Sequence, residues 1–174
     1  MAAGQEEGRG SRRPPEPGLV ATRVGFVGPQ DRRPRRLELA AGFEILDHTA
    51  DVGVAAWGPK LGDAFGQATR GLAEIAGIWR GSGGEPIAVE VEADDLGGLL
   101  VDWLEEILYL HDVRRIALGG VSVEVEGTRA RGAVSAVPLG DDPVDGTQVK
   151  AVTYHQLAVE ERDDGWWVRV FLDI

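Results

Sequence analysis

The stretch from Leu96 to Leu110 limits the possible folds more than any other part of the chain. Leu96, Leu99, Leu100, Trp103, Leu104, Ile107, Leu108 and Leu110 recur at intervals of three and four. On a 3.6-residue period they form one broad apolar stripe. Asp94 or Asp95 stands where a carboxylate can cap the first turn, and Arg114 and Arg115 follow the last turn, where positive charge is favourable. A stripe this wide must be covered, and the segments left to cover it read as strands. Downstream, Val121, Val123 and Val125 alternate with Ser122, Glu124 and Glu126, Gly127-Thr128 makes a turn, and Arg129–Val137 runs back. Val149–Glu160 and Trp166–Ile174 are further strands, with Gly165 opening the last. Upstream, Phe43–Asp47 and Val52–Trp57 are short strands ended by Gly58-Pro59. A first helix begins at Lys60, carries Leu61, Phe65, Ala68, Leu72 and Ile75 on one face, and stops at Gly77. Gly81–Gly84 is loop and Ile87–Val91 a half-exposed strand. The order ββαβα followed by a meander of about four strands predicts an α+β domain, a mostly antiparallel sheet with two helices packed on one face.

Charge divides the chain. Residues 1–36 hold eight Arg against four acids, a net of +4, while residues 37–174 carry −15 of the total −11. The first part is rich in Gly and Pro and nearly lacks aromatics, so it is expected to be a disordered tail, residues 1–36, ahead of a single domain, residues 37–174. A solvated tail, a basic arm for RNA or a partner, and a start nearer Leu37 are the readings open for it. An acidic body repels phosphate backbones, so no strong direct nucleic-acid binding is expected of it; cations and basic protein surfaces suit it better. The absence of cysteine excludes disulfides, thiolate metal sites and a Cys nucleophile. No run has the ~18 apolar residues of a membrane span. The start of the chain lacks the apolar core of a signal peptide, and a cytoplasmic protein is expected.

Chemistry concentrates at two places. Leu46-Asp47-His48-Thr49-Ala50-Asp51 puts two carboxylates, an imidazole and a hydroxyl at a strand-to-strand junction, and the chain closes on Asp173-Ile174. Asp51, Asp173 and the Ile174 carboxylate could give oxygen ligands to a hard divalent cation if the last strand ends beside the junction. By spacing alone, Asp47 and Asp51 serve equally as turn formers that bind their own backbone N–H groups. His48 suits a general base or a structural role, and His111 and His155 read as structural. Asp141, Asp142 and Asp145 lack the spacing of a calcium loop and form a solvated turn. Trp166 and Trp167 are adjacent in a strand and so face opposite sides; two readings are open, both shielded within the fold, or one in the core and the other an exposed anchor for a partner.

Five separated motifs then fall in order: Leu46–Asp51, Ala56-Trp57-Gly58, Asp94-Asp95-Leu96, Val149-Lys150-Ala151-Val152-Thr153-Tyr154-His155 and Asp173-Ile174. Together, from about Phe43 to the last residue, they resemble the archease family. The resemblance implies a small α+β fold containing an SHS2-like module and an accessory protein, not an enzyme. Its partner would be the RtcB-type RNA ligase of tRNA splicing and RNA repair, whose guanylylation and multiple turnover it promotes. It also implies a divalent metal, often calcium, in an acidic pocket. Carried over by motif, the metal ligands are Asp51, Asp173 and Ile174; Asp47, His48 and Lys150 match the motifs around the pocket. A metal-dependent phosphoesterase using Asp47, His48 and Asp51, and a chaperone-like protein-binding module, are the rival readings.

Overall fold

The protein is described by a computed structural model covering residues 40–47, 51–140 and 143–174. The expected disordered tail, His48 and the Asp141-Asp142 pair lie outside the described residues, as does the side chain of Asp47. Strands β1 (Gly42–Asp47) and β2 (Asp51–Gly58) precede helix α1 (Leu61–Ile75). Then come β3 (Glu85–Glu92), helix α2 (Leu96–Arg114) and β4 (Ile116–Glu126). The chain finishes with β5 (Arg129–Pro138), β6 (Ala151–Arg162) and β7 (Gly165–Asp173).

The α+β class with antiparallel pairing and two helices is what the sequence predicts. The strands, however, divide into two sheets, one in the order β1-β2-β7-β6 and one in the order β3-β5-β4. The expected four-strand meander is therefore two hairpins, β4–β5 and β6–β7, in different sheets. Residues 139–150 carry the chain from one sheet to the other. Both helices touch both sheets: α1 lies against β1, β2 and β7 and also β4, and α2 against β6 and also β3, β4 and β5. This explains the width of the α2 stripe. Leu99, Leu100, Val101, Trp103, Leu104, Ile107, Leu108 and Leu110 are all buried, because the helix has sheet on more than one side.

Local chemistry sets the helix ends. The Asp95 side chain accepts from the Gly98 N–H at 2.7 Å and caps α2. Arg115, in the left-handed region at φ 52°, closes it. In α1 the first turn is closed from one side only: the Asp63 side chain reaches back to accept from the Lys60 N–H at 3.0 Å. Gly77 (φ 68°) follows the C-cap Ala76; a side chain there would be strained. Close packing of α1 on the first sheet depends on Gly71, where an added Cβ would stand 2.6 Å from Val54 Cγ1. The one fully buried polar side chain among the described residues, Thr69, donates to the Phe65 carbonyl (2.9 Å) and accepts from Trp103 Nε1 (2.9 Å), joining the helices through the core.

Candidate metal centre

The site grows out of strand register. β2 pairs antiparallel with β7, and Asp51 stands directly opposite Asp173. Directly opposed residues of an antiparallel pair share a face, with Cβ atoms about 4.5–5.5 Å apart. The hexapeptide junction and the chain's last strand, more than 120 residues apart in sequence, thus meet as an adjacent pair of carboxylates. β6 flanks them: Ala151 is the partner of Asp173 on its other side. The Lys150 N–H donates to the Asp173 carbonyl at 2.8 Å, and its ammonium donates to the Ile174 oxygen at 2.9 Å. Asp51, Asp173, Ile174 and Lys150 are therefore brought together at one end of the first sheet. Asp51 is half-buried; Asp173, Ile174 and Lys150 are exposed.

The backbone of Asp47 ends β1 opposite Val52, next to this corner. The other expected positions lie elsewhere. His111 is at the end of α2, its Nδ1 3.0 Å from the Ile116 carbonyl, a structural contact. The Asp145 carbonyl abuts Gly77 at the end of α1. Trp166 packs on the core, while Trp167 faces the other side between the guanidinium groups of Arg162 (4.2 Å) and Arg169 (5.6 Å).

Two contributions escaped the sequence reading. Glu105, on α2, accepts from the Val152 N–H at 2.7 Å and so ties the start of β6 to the helix beside the acidic corner. Its only sequence signal is a carboxylate beside an apolar stripe. The second is an irregularity in β6 between Thr153 and Ala158, where four residues have no register partner. Gln156 there adopts φ 49°, and Arg169 Nε donates to its carbonyl at 3.0 Å. The bulge places the His155 ring edge-on to Phe171, with centroids 5.8 Å apart. Phe171 in turn covers Gly53, where an added Cβ would be 2.8 Å from the ring. Bulges of this kind re-aim side chains near sheet edges.

Opposed like charges destabilise a strand pair unless something neutralises them, and carboxylate and carbonyl oxygens are the donors a hard cation takes. In that respect the corner fits a divalent ion. Among the described residues no three His, Cys, Asp or Glu side chains converge on one point, so main-chain oxygen and water would complete the shell.

Fold and corner together define a small two-sheet α+β domain with a carboxylate pair at its strand ends. Known proteins narrow this class to a family. The model of the archease protein family (MTH1598/TM1083) matches residues 43–174. The chain is 35% identical to the protein archease of Thermococcus kodakarensis over 138 residues, covering 75% of this chain and 96% of that protein. To the protein archease of Methanosarcina acetivorans it is 36% identical over 140 residues, covering 76% and 95%. The solution structure of Methanobacterium thermoautotrophicum protein 1598 superposes with a TM-score of 0.64 at 29% identity, over 76% of this chain and 99% of that one. The crystal structure of an archease, described as a possible chaperone, from Thermotoga maritima shares the fold with a TM-score of 0.54 at 21% identity, over 75% and 96%. This chain belongs to the archease family.

Proposed function

We propose that this chain is an accessory protein of an RtcB-type RNA ligase, promoting the ligase's guanylylation and hence its multiple turnover in tRNA splicing or RNA repair. A divalent cation, calcium in the first instance, is held by Asp51, Asp173 and Ile174. The observation that carries this reading is the register that sets Asp51 opposite Asp173, inside the segment matched by the family. The −15 charge of residues 37–174 favours a basic protein surface over bare RNA. The cation's chemistry when bound is electrostatic: it neutralises the carboxylate pair and presents a positive centre to oxygen ligands. The chain's own residues do the holding. β7 delivers Asp173 and Ile174, β2 delivers Asp51, and Glu105 fixes the neighbouring strand.

The test is RNA ligation by the cognate ligase with GTP and Mn²⁺, with and without this protein, under single and multiple turnover. Stimulation confined to multiple turnover is expected, and its loss with Asp51→Ala. An active ligase that is indifferent to the protein under both regimes would refute the reading. The description of the Thermotoga maritima relative as a possible chaperone supports a second reading, a more general protein-binding module. Binding to several unrelated unfolded proteins would favour it.

A further inference from the structure

We propose that Lys150 is a tethered cation that competes with the divalent ion for the oxygens of the Asp51/Asp173/Ile174 corner. The inference rests on the metal-site reading above and adds a built-in rival to it. Lys150 Nζ donates to the Ile174 oxygen at 2.9 Å, one of the oxygens that site requires. The side chain is delivered by backbone pairing, since the Lys150 N–H donates to the Asp173 carbonyl at 2.8 Å and the next residue, Ala151, is the register partner of Asp173. Glu105, through the Val152 N–H, holds the same strand start at 2.7 Å. The ammonium is thus anchored on the Ile174 oxygen, at the same end of the sheet where Asp51 and Asp173 stand opposite each other across β2 and β7.

The residue type matters. An arginine fork would grip a carboxylate in two bonds, whereas an ammonium is a compact point charge on a flexible stem. Lys150 is exposed, so its stem can swing to solvent without opening the core. It neutralises part of the corner in one state and yields to a doubly charged ion in the other. The corner is then never left as bare opposed carboxylates, and the affinity for the divalent ion is lowered by the cost of displacing the ammonium. One unit charge a few ångströms away in a wet site is worth about a tenfold change in affinity. The site is tuned to respond to the ion's concentration instead of staying filled.

The experiment is calorimetric titration of the full chain with CaCl₂ and with MgCl₂, for the wild type, Lys150→Met, Lys150→Gln and Asp51→Asn, alongside thermal melts in EDTA. Lys150→Met keeps most of the stem; Lys150→Gln guards against a folding defect peculiar to one substitution. The expected result is about tenfold tighter binding in both Lys150 variants, a lower melting temperature than wild type in EDTA, and no binding by Asp51→Asn. A wild type that fails to bind while the Lys150 variants do would support the inference in its strongest form. A wild type that binds, with Lys150 variants equal or weaker, would overturn the competition and leave the metal site standing. Failure of wild type and Lys150 variants alike to bind either ion would remove the metal reading, and this inference with it.

Discussion

Asp51 and Asp173 oppose each other in register, and that has a consequence independent of any partner. Removing one charge of the pair relieves a repulsion worth a few tenths to about 1 kcal/mol. Asp51→Asn should therefore melt level with the wild type or about 1–3 °C above it in EDTA. In millimolar Ca²⁺ the order should reverse, because only the wild type gains from a bound ion. Differential scanning calorimetry with and without Ca²⁺ decides it; a variant that Ca²⁺ still stabilises as strongly as wild type would exclude Asp51 as a ligand. At Thr69 the expectation concerns the core alone. Thr69→Val is nearly isosteric but strips Trp103 Nε1 of its acceptor, and an unsatisfied buried donor costs about 1–3 kcal/mol. The melting temperature should fall several degrees and Thr69→Ser should largely restore it. Residue-scale facts differ in how far the sequence exposes them. Asp51 and Asp173 stand out as carboxylates at strand ends, with the resemblance to guide their pairing. The Thr69–Trp103 bond and the Glu105–Val152 bond join residues 34 and 47 apart, and no local pattern marks either.

Elements were the most legible level, since period and caps are local. Both helices and seven strands are present at the expected places, except that β4 begins at Ile116, ahead of the alternation that starts at Val121, and of the two carboxylates expected as the α2 cap Asp95 is the one that serves. Registers were not legible, although the second sheet states its own in charge. Glu90 and Glu92 on β3 stand opposite Arg131 and Arg129 on β5, which stand opposite Glu124 and Glu126 on β4. Arg131 Nε reaches Glu90 at 3.0 Å and Arg129 Nε reaches Glu92 at 3.1 Å. The Glu92 hydrogen bond and charge hold the Arg129 guanidinium above its usual value. A slip of one residue would break every pair and turn Val121, Val123 and Val125 outward. Arg131→Glu puts like charges on both sides of that position and should cost about 1 kcal/mol, a deficit that shrinks in 1 M salt as the charges are screened. A loss of stability that salt leaves unchanged would point to packing instead. The β6 bulge escaped the sequence reading, which took Val149–Glu160 as one long strand, although the adjacent polar pair His155-Gln156 and the apolar run Leu157-Ala158-Val159 break the alternation there. Pairing to β7 shows that Tyr154 to Leu157 fall out of step.

At the scale of the whole molecule the sequence could not say which hairpin joins which sheet. β4–β5 and β6–β7 have similar lengths and alternation, and consecutive strands usually pair, so a single meander was the economical expectation. The helices decide otherwise. α2 is apolar on so much of its circumference that one sheet cannot cover it, and splitting the strands supplies cover from both. Net charge is the property of the whole that needs no fold to read, and it sets the last expectation. Residues 37–174 carry −15, so the field of the domain attracts basic surfaces from a distance and repels acidic ones. If the partner is a ligase with a nucleotide- and RNA-binding face, that face must be basic, and docking is steered by charge. Steering acts on the encounter and is screened over about 10 Å at 0.1 M salt. Attraction of this kind raises the association rate more than it slows dissociation. Between 50 and 500 mM NaCl the association rate with the ligase, followed by stopped-flow fluorescence of the tryptophans, should fall at least tenfold, with a much smaller change in the dissociation rate. The eight Arg of residues 1–36 work against this trend, so neutralising those arginines should steepen it. An association rate flat across that range would mean the acidic surface does not face the partner, and the docking face would then have to be sought among apolar features such as Trp167 and its flanking arginines.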